Sequence, residues 1–308
     1  MAILRKNCIL DPGAYTFRIY NPKTNEITRI RSAFCKAGNR QLCGTEAIEA
    51  SISGEGGELR FPWSQGKAFM DIEPLFERLM KESEADQYDI KPSLQIIVPA
   101  DMDEKEKSRL QRMAVNAGFR KISFVNTMEL ISRDFSLCIH AGHSCTEIGV
   151  YRGRRPVLYK KIIYGAQQMD EAIMDFIGSK YRALVFAEDA AALRMAASKA
   201  FSENRNPILS CTALDQSGQY VRISFPAYEL WPAMLSILDQ IVLWVKSLIA
   251  QKGPDLMDRI LRHPVILSGG LSECFGLRQM LEEQLHAPAA ILDGGENSLI
   301  LAAKKKLF

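Results

Sequence analysis

Apolar residues at the start of the chain fall in short runs cut by turn residues, which is the pattern of strands. Ala2 to Leu10 reads as a strand that runs into the turn Asp11-Pro12-Gly13. Tyr15 to Tyr20 is a second strand, Asn21-Pro22-Lys23 a second turn, and Glu26 to Phe34 a third strand, so the chain opens with a β-meander. Ser51 to Gly57 is rich in glycine and serine and reads as a loop. The spacing then changes to a helical one over Ile72 to Glu84, with Ile72, Leu75, Phe76, Leu79 and Met80 on one face. Leu94 to Val98 is an apolar strand ending at Pro99, Asp103 to Gly118 a charged amphipathic helix with a glycine suited to its C-cap, and Lys121 to Val125 the next strand. Strand, helix, strand at this spacing is a βαβ unit and predicts parallel pairing.

The cycle then repeats. Ser136 to His140, Cys145 to Tyr151 and Pro156 to Ile163 read as strands, with a turn at Ala141 to Ser144. Met169 to Tyr181 and the alanine-rich Ala187 to Phe201 read as helices, and Tyr220 to Phe225 as a strand. Pro226 to Lys252 reads as one long helix, or two joined near Pro232. Pro264 to Leu267 is a strand opening into Ser268-Gly269-Gly270; Leu277 to Leu285 is a helix, Ala289 to Leu292 a strand and Asn297 to Lys306 a final helix. A β-meander with a tight first turn therefore occurs twice, each time followed by helices and further strands. Such a duplication predicts two related α/β domains with a cleft between them.

Composition narrows the class. A chain of 308 residues, 47% hydrophobic and 24% charged, has globular composition and enough length for two cores. A formal charge of +3 excludes nucleic acid as the expected partner. The densest basic stretch, Arg152, Arg154, Arg155, Lys160 and Lys161, is interrupted by apolar residues and reads as a solvated hairpin. Cysteines at positions 8, 35, 43, 138, 145, 211 and 274 show no C-x-x-C spacing, and no apolar leader follows Met1 to Asn7, so reduced thiols in the cytoplasm are expected. The longest apolar stretch, Leu235 to Ile249, is broken by Asp239, Gln240 and Lys246, which argues against a membrane span.

Three turns share one design, an apolar strand followed by small residues. The first holds Asp11, Gly13, Ala14 and Tyr15; the second Gly142, His143 and Ser144; the third Gly269 and Gly270. Small residues let backbone N–H groups approach phosphate oxygens, and an acid at such a turn can hold a cation. Any one of these is equally an ordinary hairpin or strand–helix turn. Cys138, His140, His143 and Cys145 also invite a zinc reading, but an extended strand places 138 and 140 on one face while 143 and 145 follow a turn, which speaks against convergence.

Taken in order, these segments resemble the actin superfamily, and within it the rod-shape-determining MreB proteins. Asp11-Pro12-Gly13-Ala14 sits where that family has its first phosphate loop, Asp-Leu-Gly-Thr; Cys145-Thr146-Glu147-Ile148-Gly149-Val150 matches the end of the second. Gly165 to Ile173, ending Met-Asp-Glu-Ala-Ile, resembles Gly-Gly-Asp-x-Phe-Asp-Glu-Ala-Ile, and Pro254 through Gly270 is similar to the approach to the adenosine loop. The resemblance implies an α/β, actin-like (ribonuclease H-like) fold of duplicated domains flanking a nucleotide cleft. It implies a first domain over 1–134, completed by 274–308, and a second over 135–273. ATP and Mg2+ are the implied cofactors, with Asp11 as the metal-facing acid.

The departures from the family fall on the chemistry. Where the family's second loop reads Asp-Ile-Gly-Gly-Gly-Thr, this chain has His140, Ala141, Gly142, His143, Ser144 and Cys145, so the acid is lost and a side chain at His143 crowds the loop. Asn126 replaces the water-orienting Glu of Glu-Pro-Met-Ala-Ala; an amide can bond a water but cannot take its proton. Glu129 lies three residues on, a poor substitute. The helix that carries a Lys and a Glu toward the nucleoside offers Arg194, Met195, Ala196 and Ala197, and Leu271 replaces a third glycine. No confident catalytic residue remains, which favours a pseudo-ATPase over a slow ATPase.

The resemblance further implies head-to-tail filaments, either of this chain or of a co-assembly with an MreB-type actin, in the cytoplasm and with peripheral membrane contact. Two segments are candidates for that contact: Met1 to Lys6, and Leu59, Phe61, Pro62, Trp63 and Phe69, the latter read first as core packing. Competing classes are a heat-shock-like ATPase or chaperone, a pseudo-ATPase scaffold, and a small-molecule kinase of the same fold.

Overall fold

The computed structural model describes residues 7–307 apart from 89, 134 and 154. It forms two compact units, one of residues up to Ile131 together with those from Glu296 onward, the other Ser132–Gly295. The candidate membrane segment Met1 to Lys6 and Arg154 of the basic stretch lie outside the described residues.

The first unit contains β1 (Asn7–Pro12), β2 (Thr16–Asn21), β3 (Glu26–Arg31), β4 (Phe34–Ala37), β5 (Arg40–Cys43), α1 (Thr45–Ser53), β6 (Trp63–Ser64), β7 (Lys67–Ala68), α2 (Glu73–Glu82), β8 (Ser93–Val98), α3 (Glu104–Asn116), β9 (Ile122–Asn126) and α4 (Thr127–Ile131). Five of these strands form one sheet in the order β3-β2-β1-β8-β9. The meander β1–β3 is antiparallel, and β1, β8 and β9 run parallel, as the βαβ pattern requires. Asp103 caps α3 by accepting the Glu106 N–H at 2.8 Å. Alternate residues of the strands, Leu10, Phe17, Ile19, Leu94 and Ile96, meet Leu75, Phe76 and Leu79 of α2 and Leu110 of α3 in one core. Trp63 is buried edge-on against Phe17 at 5.8 Å, and Leu59 packs with Cys35, Ala47 and Ala50. Phe61 and Phe69 of the same segment are exposed, so core packing accounts for part of it.

The second unit contains β10 (Leu137–Ala141), β11 (Thr146–Arg152), β12 (Arg155–Ile162), α5 (Ala166–Tyr181), α6 (Ala187–Ser202), β13 (Ile208–Leu214), β14 (Tyr220–Pro226), α7 (Trp231–Ala250), α8 (Pro254–Leu261), β15 (Val265–Ser268), α9 (Leu277–Leu285) and β16 (Ala289–Ile291). Its sheet has the order β12-β11-β10-β15-β16, with an antiparallel meander and then two parallel neighbours. This is strand for strand the arrangement of the first unit, and it bears out the duplication read from the sequence. Residues 227–250 are long and apolar enough to cross a membrane by length and composition alone. Within the unit, however, Met234, Leu238, Ile241, Val245, Leu248 and Ile249 of α7 are buried in the core, while Asp239 and Lys246 are exposed. That one-sided burial is how a core helix sits. Pro232 lies in the first turn of α7, which follows directly on a 3-10 helix over Ala227–Leu230.

The return to the first unit begins at Glu296 and not at 274, because β16 extends the second sheet beside β15 and α9 packs against α7. α10 (Ser298–Leu307) then packs on β1 and α4. The Lys304 ammonium donates to Asn25 Oδ1 at 2.7 Å and the Lys306 ammonium to the Glu129 carbonyl. The short strands β4 to β7, the helices α1, α4 and α8, and β13 were not read from the sequence.

Candidate functional site

The first two candidate loops are tight hairpins built alike. Gly13 N–H donates to Thr16 O at 3.2 Å between β1 and β2, and Gly142 N–H donates to Cys145 O at 3.0 Å between β10 and β11. A Cβ on Gly13 would lie 2.6 Å from Thr16 O, so this turn closes only around glycine. Ala14 and Tyr15 fill the first turn, and the Arg31 guanidinium lies over the Tyr15 ring at 3.2 Å.

In the second unit three candidate segments meet. The N–H groups of Ala166 and Gln167 at the start of α5 donate to Gly142 O at 3.1 Å and His143 O at 2.7 Å. A Cβ on Gly165 would fall 2.4 Å from His143 O. The helix N-terminus thus grips the turn through its carbonyls. Gly269 has φ +87°, and a Cβ there would lie 2.3 Å from Ala141 O, so the third loop also lies against the second. Gly270 meets nothing within 4 Å. Ser144 is buried, and Leu271, where the resemblance expects a glycine, is a core residue. His140 Nδ1 and Ser268 Oγ are 3.0 Å apart, which joins the ends of β10 and β15.

Asp11 lies at the end of β1, directly opposite Arg18 on β2, which is in turn opposite Arg29 on β3. The Arg18 guanidinium is 3.7 Å from the Asp11 carboxylate and donates to Glu296 at 2.8 Å; Arg29 reaches the same Glu296 at 2.7 Å. Burial raises the Asp11 pKa, Arg18 lowers it and Glu296 raises it, for a net rise. Burial also pushes Glu296 up, but the bond and charge of Arg18 and the charge of Arg29 outweigh it and hold that carboxyl low. The equivalent row in the second unit is His140, Glu147 and Lys161, with the acid on the middle strand instead of the first. Glu147 is buried and accepts the Tyr159 hydroxyl at 2.8 Å.

Mg2+ demands hard oxygen donors in octahedral array. The first loop offers one carboxylate that already faces a guanidinium, and the second an imidazole joined to a serine. Mg2+ usually keeps several waters and takes only one or two carboxylates, so among these loop residues it would rest on Asp11, beside the Arg18 guanidinium. No cluster of three or more His, Cys, Asp or Glu suited to a metal occurs among the described residues, so Cys138, His140, His143 and Cys145 do not form a zinc set.

Asn126 ends β9 and begins α4. Its Oδ1 accepts the Glu129 N–H at 2.8 Å, and its Nδ2 donates to the Glu129 carboxylate at 3.1 Å. The two residues form a reciprocal cap on α4. An Asn followed three residues later by a Glu is a legible capping signal, and it explains both residues at once. Arg194, on the nucleoside-facing helix of the resemblance, pairs with Asp170 of α5 through Nε at 2.6 Å. Burial raises Asp170 to about 6 against the opposing charge of Arg194. Arg18 and Glu296 were not singled out from the sequence: they lie 278 positions apart, and no local pattern joins them.

Two five-stranded sheets of one topology, each with a glycine-closed hairpin beside its central strand, define an actin-like protein. The family model described as MreB/Mbl protein matches residues 67–307, and the chain belongs to that family. It is 22% identical over 213 residues to the cell shape-determining protein Mbl of Bacillus subtilis, a match covering 66% of this chain and 64% of that relative, just under two thirds of its length. The crystal structure of MreB5 of Spiroplasma citri bound to ADP superimposes with a TM-score of 0.86 at 16% identity, covering 98% of this chain and 96% of that one. The MamK double helical filament gives 0.76 at 16% identity over 96% and 99%.

Proposed function

We propose that this chain is a cell-shape or cytoskeletal assembly protein that self-associates into filaments or co-assembles with an MreB-type actin. It holds a nucleotide and hydrolyses it weakly or not at all. Membership of the MreB/Mbl family and a fold shared with the MamK filament support the assembly part. The ADP-bound state of Spiroplasma citri MreB5 supports the nucleotide part. The observation that carries the loss of hydrolysis is Asn126, whose amide is spent on capping α4 and has no basicity to activate a water. In this reading Asp11, Gly13, Ala14 and Tyr15 are the nucleotide-binding residues of the first unit, and Gly142, His143, Ser144, Gly269 and Gly270 are those of the second. Seven free cysteines suit a reducing cytoplasm. Exposed Phe61 and Phe69 are the residues suited to a peripheral membrane contact.

Sedimentation of the purified chain over a concentration series, with ATP and with ADP, tests assembly, and phosphate release in the same samples tests hydrolysis. Pelleting above a threshold concentration with phosphate release at the blank rate is the expected result. Pelleting only when an MreB-type actin is added selects co-assembly. Phosphate release that rises steeply with polymer refutes the loss of hydrolysis, and transfer of phosphate to a small acceptor refutes the class.

A further inference from the structure

We propose that the imidazolium of His140 meets nucleotide phosphate in the second unit. This rests on the nucleotide reading above and names the group that carries the counter-charge there. His140 is the next-to-last residue of β10 and is half-buried, between the fully enclosed Ile139 and Ala141. Its Nδ1 lies 3.0 Å from the hydroxyl of Ser268, which is itself 1% exposed, so the ring is tied at that nitrogen to a buried group. The other edge of the ring faces two of the glycine turns. A Cβ on Gly269 would lie 3.0 Å from Cε1, and one on Gly142 would lie 3.9 Å from Nε2. Glycine at 269 is what lets the third loop come this close. One side chain thus stands between both candidate phosphate loops of this unit. The charge around it fits an anion. His140 is opposite Glu147 on β11, and Glu147 is opposite Lys161 on β12. One acid between two basic positions leaves the row with a net positive charge once His140 is protonated. The row of Asp11, Arg18 and Arg29 differs, since Glu296 balances it. Glu273, on the short turn Gly270–Glu273 packed against β10, has its carboxylate against Gly295, and His143 follows in the turn itself. Both nitrogens of an imidazolium donate, so Nδ1 keeps Ser268 while Nε2 donates to a phosphate oxygen. Such a charge-assisted bond is about twice as strong as a neutral one.

The test is titration of the purified full chain and of His140→Asn with a fluorescent ADP analogue at about pH 6.5 and about pH 8.5, in excess MgCl2 and in excess EDTA. The analogue's own phosphate titrates in this range, so the difference between the two chains is what counts. Wild type should gain at least about threefold more affinity than His140→Asn at the lower pH, because the imidazole charges over that interval. A smaller gain overturns the inference. Mg2+ should improve binding of His140→Asp at least about threefold more than that of wild type, since a carboxylate repels phosphate until a divalent cation lies between them. Equal dependence on Mg2+ overturns it as well. Melting curves show whether the variants keep the fold. If they do not, wild type decides alone: the ring protons of its four histidines are followed by NMR, and ADP should raise the pH at which His140 titrates. An unmoved titration overturns the inference. Each of these failures, and wild-type binding that vanishes in EDTA at the lower pH, leaves the nucleotide reading standing. Absence of wild-type binding in both buffers overturns the inference and the nucleotide reading together.

Discussion

Arg194→Met isolates a deeply buried ion pair of the second unit. Arg194 and Asp170 join α6 to α5, with side chains 11% and 6% exposed. Burial lifts Asp170 from 3.8 to about 6 despite the guanidinium, so desolvation exceeds the attraction. The folded chain then binds more protons than the unfolded chain between about pH 4 and pH 6. Stability must therefore fall as pH rises through that window, by roughly 3 kcal/mol. Removing Arg194 leaves a buried carboxylate without its partner, and at pH 7 the loss should be about 3–5 kcal/mol. At pH 4 Asp170 is protonated in the folded state and the same substitution should cost far less. The double variant Asp170→Leu, Arg194→Met removes both charges and should lie within about 1 kcal/mol of the parent at pH 7, or above it. Urea unfolding followed by the fluorescence of Trp231 and Trp244, in a Trp63→Phe background, reads the second unit. A loss under about 1 kcal/mol for Arg194→Met at both pH values would refute the reasoning, as would a double variant no more stable than the weaker single one.

Two further outcomes follow from the loops. Gly269→Ala should cost more than about 3 kcal/mol or abolish folding, because its φ and its approach to Ala141 O both exclude a side chain, whereas Gly270→Ala should stay within about 1 kcal/mol in the same urea assay. Asn126→Ala should lose about 1 kcal/mol with its cap, and Asn126→Asp should retain most of it, since a carboxylate accepts the Glu129 N–H equally well.

The two meanders and the parallel βαβ unit of the first sheet were legible because short apolar runs and that spacing leave few topologies open. α1 escaped because it begins after Gly44, a residue at φ 74° that offers no side-chain cap, and runs into the Gly/Ser stretch. β13 escaped because its inward positions include the small residues Cys211 and Ala213 while Ile208 is exposed, so residue type does not mark the buried face. At the site, the glycine turns were legible as turns, since small residues there have a local cause. The partner of Asp11 was not, because Arg18 acquires its role from strand register and from Glu296 at the far end of the chain. Asn126 was read as a lost catalytic group, and its capping role becomes visible once β9 is seen to pass straight into α4.

The C-terminal return has a consequence for synthesis on the ribosome. Residues 132–295 are contiguous, so the second unit can close as soon as β16 has emerged. The first unit is translated earlier yet stays uncovered where α10 packs on β1 and α4. The α10 surface that covers β1 and α4, and the Glu296 that neutralises Arg18 and Arg29, are made only after the whole of the second unit. The order of folding is thereby inverted relative to the order of translation, and the nascent amino-terminal half waits without the carboxylate that bonds Arg18 and Arg29 until its closing helix arrives.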